Sequence, residues 1–168
     1  MKTTVKLYSL SYSDAKTYLF ALLFVAGNLL LPLACHLVPD GGRMLLPLYF
    51  FTLIAAYKYG LQVGLLAAVL SPVANALLFG MPAAAALPLI VIKSCLLAAC
   101  AAYAARRSGR ITFVPILLAV VACHGIGLAV ESAWNGFTVA ASALKMAVPG
   151  ILLQVLGGYA LLKATARQ

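Results

Sequence analysis

Long apolar runs fill most of the 168 residues, and only short polar turns separate them. Most of these runs approach the ~20 apolar residues that a helix needs to cross a bilayer, and they lack the alternation of transmembrane strands. The composition agrees, because 65% of the residues are hydrophobic and only 9% are charged. About a quarter of the residues in a soluble domain are charged. The sequence therefore predicts an all-α integral membrane protein.

We predict six transmembrane helices within a single membrane domain that covers residues 1–168. Turn residues such as Gly80 and Pro82 end the apolar runs, because glycine and proline both disfavour helix continuation. The stretch between the last two helices, 131–145, is expected to be a loop or a short interfacial helix. The predicted spans are 17–38, 44–57, 61–79, 83–105, 111–130 and 146–162.

The distribution of basic residues predicts the orientation. The chain has 12 Lys and Arg residues, three acidic residues and a net charge of +9. In a membrane protein such an excess indicates cytoplasmic loops and gives no reason to expect a nucleic-acid partner. Six crossings from a cytoplasmic N-terminus leave Arg43 and Lys145 outside and Lys93 within a span. The remaining basic residues fall inside: Lys2, Lys6, Lys16, Lys58, Arg106, Arg107, Arg110, Lys163 and Arg167. We predict cytoplasmic termini and a multi-pass membrane protein.

Polar residues within the predicted spans gather in the outer half of the bilayer. A charge near the bilayer centre, such as that of Lys93, costs at least about 2.5–3.5 kcal/mol and is functional by default. The asymmetry predicts a pocket that is open to the outside and closed toward the cytoplasm. The candidate substrate-binding residues are His36, Asn75, Lys93, His124, Glu131, Trp134 and Gln154.

Each candidate also has a structural interpretation that the sequence leaves open. Lys93 could extend its ammonium group to the membrane surface without any further role. Asn75 and Gln154 could form hydrogen bonds between helices, as amides do in membrane bundles. His36 and Trp134 could lie at the membrane interface, which is where tryptophan is enriched.

Two Cys–His pairs provide the residue types of a metal site. Cys35–His36 and Cys123–His124 fall at similar predicted depths and match a Cys2His2 zinc set. Adjacent residues on a helix point about 100° apart, so four converging ligands would require distortion. Metal uptake therefore stays an alternative. The sequence contains no P-loop, nucleophile–base arrangement or carboxylate pair, and we expect neither an enzyme nor a cofactor.

Residues 70–82, with the sequence LSPVANALLFGMP, carry a resemblance to a known family. Together with six spans, a basic turn after the fourth span and a glycine-rich last span, they resemble the substrate-binding S components of energy-coupling factor (ECF) vitamin transporters. The resemblance implies an ABC-type importer subunit that captures a vitamin or related micronutrient at the extracellular side. It implies a location in the bacterial inner (plasma) membrane, a cap formed by residues 38–43 and a pocket lined by spans four to six. It also implies toppling in the membrane against a scaffold subunit driven by two ATPases.

The sequence defines the ligand, and the helix face that would contact the scaffold subunit, less closely than it defines the fold. A single intramembrane cation, Lys93, leads us to expect an anionic or carboxylate-bearing micronutrient. The A-x-x-x-A pattern of many related first spans is absent, because Ala21 and Ala26 are five residues apart. Docking could use another small face, such as Gly64 and Ala68. The alternative function is a structural subunit of a cell-envelope or shape-determining complex, which predicts no small-molecule binding.

Overall fold

The computed structural model describes residues 7–35, 37 and 41–165, without the side chain of Arg43. Helices account for nearly all of this chain, which confirms the predicted all-α class. The elements are α1 (Ala15–Cys35), α2 (Gly41–Leu45), α3 (Pro47–Tyr59), α4 (Leu61–Phe79), α5 (Leu87–Ser108), α6 (Phe113–Asn135), α7 (Phe137–Met146), α8 (Val148–Leu152), a π-helical turn (Leu153–Gly157) and α9 (Gly158–Thr165).

Five helical segments of the described chain are long and apolar enough to cross a membrane. This finding confirms a multi-pass helical membrane protein. The segments are α1, α4, α5, α6 and the continuous stretch Val148–Thr165.

The predicted second span, 44–57, is not one continuous helix. Leu46 adopts a left-handed conformation, with φ 50° and ψ 49°, and separates α2 from α3. Pro47 then begins α3, because proline lacks an N–H group and its φ suits the first position of a helix. The central helix of the bundle is therefore only 13 residues long.

Several other boundaries differ from the predicted ones. α5 begins at Leu87 because residues 84–86 form a turn, whereas the sequence predicted a start at Ala83. α6 continues to Asn135, so Glu131 is helical and does not belong to a loop. The third predicted span agrees with α4, which ends at Gly80 in the left-handed conformation that favours glycine.

α3 lies at the centre of the bundle, with α1, α4, α5 and α9 packed around it. Small residues on the surrounding helices let their backbones approach it closely. A Cβ atom on Gly64 would lie 2.5 Å from the Cβ of Ala56, and one on Gly158 would lie 2.9 Å from Leu53 Cδ2. Gly64 and Ala68 are both buried within the chain. Their face is therefore not exposed for docking a partner.

A buried polar cluster joins α1, α3 and α4. The Asn28 amide donates hydrogen bonds to Thr52 Oγ1 at 3.2 Å and to Ser71 Oγ at 3.0 Å. The Asn75 amide donates to the backbone oxygens of Asn28 and Ser71, both at 3.0 Å. Polar groups in a membrane bundle need such partners, because lipid offers none.

Basic residues gather at one end of the described bundle. Hydrogen bonds there connect the segments that carry them. The Tyr8 N–H donates to the Lys58 carbonyl at 2.8 Å, and the Leu10 N–H donates to the Tyr59 carbonyl at 3.2 Å. The Tyr57 hydroxyl donates to the Arg110 carbonyl at 2.8 Å. This end, which we call the basic end, also carries Arg106 and Arg107 in the last turn of α5. α2, α7 and the turn at 84–86 lie at the opposite end.

The contact between α3 and α4 predicts the effect of replacing Gly64. Gly64→Ala should lower the stability of the folded protein by about 1–3 kcal/mol, because the added methyl group collides with Ala56 and the helices must separate. Thermal unfolding in a fixed detergent measures the change. Gly125→Ala is the matched control, because a Cβ there meets nothing within 4 Å. Equal melting temperatures for the two variants would contradict the predicted close packing.

Candidate ligand-binding site

A cavity of about 900 Å³ opens at the end of the bundle opposite the basic end. Its wall combines the junction of α2 and α3, the turn before α5, and parts of α5, α6 and α7. Apolar side chains such as Leu89 and Ile90 form much of this wall, together with the aromatic rings of Tyr49 and Trp134. Small-molecule sites are concave, mostly apolar and about 300–1,000 Å³ in volume. The cavity therefore has the size and lining of such a site.

An ion pair between α5 and α6 lies in the wall of this cavity. Lys93 Nζ donates to Glu131 Oε2 at 2.7 Å, and the two side chains are only 20% and 11% exposed. Gly127 leaves room for the lysine, because a Cβ there would lie 3.2 Å from Lys93 Cε. Pairing offsets much of the cost of placing either charge at this depth. Lys93 therefore contacts Glu131 and does not extend alone to the membrane surface.

His124 and Gln154 add neutral polar groups beside the ion pair. His124 lines the cavity, and the side chain of Gln154 lies next to it. Gln154 is fully buried and belongs to the π-helical turn. The Gln154 amide is close enough to His124 to interact with it, but neither His124 Nε2 nor the amide atoms make a hydrogen bond of good geometry to the described residues. A buried polar group left unpaired costs about 1–3 kcal/mol, and π-helical turns often occur at functional sites.

The structure brings together four of the seven predicted site residues. Lys93, His124, Glu131 and Trp134 all line the cavity. Trp134 is 59% exposed, so its ring also reaches the protein surface. A role of these four residues in substrate binding stays a prediction.

Of the other three predicted site residues, two do not line the cavity and one lies outside the described residues. Asn75 belongs to the buried polar cluster, where its amide connects α4 to α1. Gln154 lies beside His124 but is not one of the residues that line the cavity. His36 lies outside the described residues, as do 38–40 of the predicted capping loop.

Four polar residues line the cavity but were not among the site residues predicted from the sequence: Tyr49, Asn135, Thr138 and Ser142. Thr138 and Ser142 are four apart on α7, so they share a helical face. The spacing indicates a shared face only if residues 137–146 form a helix, and the sequence left this region open between a loop and a short helix. Tyr49 lies in the first turn of α3, and the helix start at Pro47 places its ring in the wall.

A second cavity, of about 330 Å³, lies at the basic end. Its lining includes Tyr57, Gly60 and Arg106. Leu53 on α3 and Leu97 on α5 are both 0% exposed and lie between the levels of the two cavities. A packed apolar layer therefore separates the larger cavity from the basic end.

The described residues contain no group of three or more His, Cys, Asp and Glu side chains that could hold a metal ion. Cys35 and Cys123 are both buried and free. His36, one of the four proposed ligands, lies outside this description. The described structure thus provides no support for the metal alternative.

The ion pair predicts non-additive effects of neutralising its two partners. Lys93→Met and Glu131→Gln should each lower stability by about 1–3 kcal/mol, because each leaves a partly buried charge unpaired. The double variant should lose less than the sum, since no lone charge remains. Thermal unfolding of the four proteins in one detergent measures this coupling. Additive losses would contradict a direct interaction between the two side chains.

The polar cluster predicts a structural effect of replacing Asn75. Asn75→Ala should lower stability by about 1 kcal/mol, because it removes two hydrogen bonds between buried groups. Gln62→Ala on the same helix is the control, because the side-chain oxygen of Gln62 accepts no hydrogen bond from the described residues. Thermal unfolding compares the two variants. An Asn75→Ala protein as stable as the unmodified chain would argue against this role.

No family model, curated protein or solved structure matches the chain. Its function must therefore be inferred from the cavity, the charges and the membrane topology themselves.

Proposed function

We propose that this chain is the substrate-binding S component of an ECF-type importer. In this role it captures a vitamin or related micronutrient in the 900 Å³ cavity at the extracellular side. It then delivers the ligand by toppling against a transmembrane scaffold subunit driven by two ATPases. The role is binding and transport, without a catalytic step in this chain.

The position of the cavity relative to the basic end is the observation that carries the proposal. Lys58, Arg106, Arg107 and Arg110 lie at the end remote from the cavity, and cytoplasmic loops are the ones that carry Lys and Arg. This orientation opens the cavity to the outside. The apolar layer at Leu53 and Leu97 then separates a bound ligand from the cytoplasm.

Six crossings follow if α2 and α3 together count as a broken second span. The segment Gly41–Tyr59 runs from the cavity end to the basic end, where Lys58 Nζ donates to the Thr165 carbonyl at 3.0 Å. Its outer part is held in place by α8, because a Cβ on Gly150 would lie 2.6 Å from the Met44 carbonyl oxygen. With six crossings, both termini lie in the cytoplasm.

The convergence of polar groups favours binding over a purely structural role. Lys93, Glu131 and His124 come from two helices and face one apolar cavity. A protein that served only as a packing surface would have no need of a charged pair beside such a cavity. Polar and ionisable residues at membrane depth mark substrate pathways far more often than inert packing.

A ligand screen with a blocked cavity tests the proposal. Vitamins and their precursors should be screened for thermal stabilisation of the purified full chain, where a ligand at 100 times its Kd adds about 2.7 kcal/mol. Ala143→Trp should abolish the stabilisation, because Ala143 lines the cavity. Ala99→Trp is the matched control on an exposed helical position.

Two outcomes would contradict the proposed function. Stabilisation that survives Ala143→Trp would place binding elsewhere on the protein. A failure of every compound to stabilise the chain, together with a stably co-purifying cell-envelope protein, would favour the structural alternative.

A further inference from the structure

We infer that the cavity selects an electrically neutral or zwitterionic ligand, with a hydrogen-bond donor beside an acceptor, over a net anion. This inference rests on the proposed function and identifies the class of its substrate. It replaces the anionic ligand expected from Lys93 alone. The juxtaposition that carries it is the Lys93–Glu131 ion pair in one cavity wall with His124, whose neighbour is the neutral amide of Gln154.

The charges of the described residues in the cavity wall cancel. Among the described residues that line the cavity, only Lys93 and Glu131 carry a charge, and 2.7 Å separates their charged atoms. An anion that approaches the ammonium group also approaches the carboxylate, so attraction and repulsion largely offset each other. The site therefore offers little net electrostatic gain against the cost of removing an anion from water.

The ion pair still offers directional hydrogen bonds. A lysine ammonium has three donors, and one of them is directed to Glu131 Oε2. The carboxylate keeps the acceptor capacity of its second oxygen. A donor and an acceptor thus lie side by side, which suits the paired edge of an amide, a lactam, a ureido group or an amino acid.

The neutral groups extend the same chemistry away from the ion pair. Gln154 is 0% exposed and does not line the cavity, but its neutral amide lies beside His124. His124 Nε2, the neighbouring unpaired atom, belongs to a side chain that lines the cavity. A neutral imidazole presents one donor and one acceptor nitrogen. Neither side chain supplies the fixed positive charge that an anion would require.

The rest of the wall fits a flat ring. Tyr49 and Trp134 provide aromatic surface, and Leu89 and Ile90 provide aliphatic surface. Small-molecule sites commonly combine such an apolar wall with a few polar groups that set orientation. A neutral heterocycle with an amide-like edge satisfies both parts of this wall.

Matched pairs of probes test the inference on the full chain in lipid nanodiscs. The pairs are nicotinamide and nicotinate, biotinamide and biotin, and pantothenol and pantothenate, compared by calorimetry at neutral pH. Within any pair that binds, the neutral compound should bind at least tenfold more tightly. A tenfold preference for the acid would overturn the inference and leave the proposed function intact. Failure of all six probes and of the wider vitamin screen would overturn both.

Variants of the ion pair test its role directly. Glu131→Gln leaves Lys93 as a net positive charge, so the preference should shift at least tenfold toward the acid. Lys93→Met/Glu131→Gln is neutral again, and it should restore the preference for the neutral probe. Lys145→Gln removes a cation that does not line the cavity and should change nothing. An unchanged preference in a folded Glu131→Gln protein would show that the ion pair does not set the charge class.

Discussion

Close packing around α3 is the constraint on which the rest of the bundle depends. Lipid tails are as apolar as leucine, so the hydrophobic effect does not drive helices together within a membrane. Van der Waals contact must do so, and glycine permits the closest approach. Gly27, Gly64 and Gly158 each place a neighbouring backbone against an α3 side chain. The polar cluster at Asn28 then joins three of these helices with directional bonds.

The cavity follows from the length of that central helix. α3 has 13 residues and therefore spans about 20 Å, against roughly 30 Å for the hydrocarbon core of a bilayer. Its missing turns lie at the end remote from the basic residues, beyond Leu46. The longer α5 and α6 continue past that level and carry Lys93 and Glu131 on facing sides. The cavity thus opens at the end where the short central helix begins, with Leu46, Pro47 and Tyr49 in its wall.

Helical periodicity made part of this site predictable. Lys93, His124 and Glu131 lie on regular helices, so counting residues from the helix ends placed them in the outer half of the bilayer or near its middle. The end of α4 at Gly80 was also predictable from the local sequence, because glycine tolerates the left-handed φ found there. These features depend on local sequence, and local sequence was enough to find them.

Other features depend on how the helices rotate against each other. Asn75 and Gln154 are both amides at membrane depth, yet one bonds to α1 and the other lies beside His124. The pairing of Lys93 with Glu131 joins residues 38 positions apart and requires one particular register of α5 and α6. A leucine in the left-handed conformation at position 46 has no local signature. Sequence periodicity contains none of this information.

The hydrogen bonds from Tyr8 and Leu10 to the end of α3 connect the first part of the described chain to its central helix. The last carbonyl groups of a helix have no partner within it. Here two of them, on Lys58 and Tyr59, accept bonds from residues that the ribosome makes some 50 positions earlier. Because α1, α2 and α3 all follow this segment in the chain, the two hydrogen bonds can form only after these three helices have been synthesised. The last carbonyl groups of α3 therefore obtain their partners from a segment that was synthesised before the helix itself.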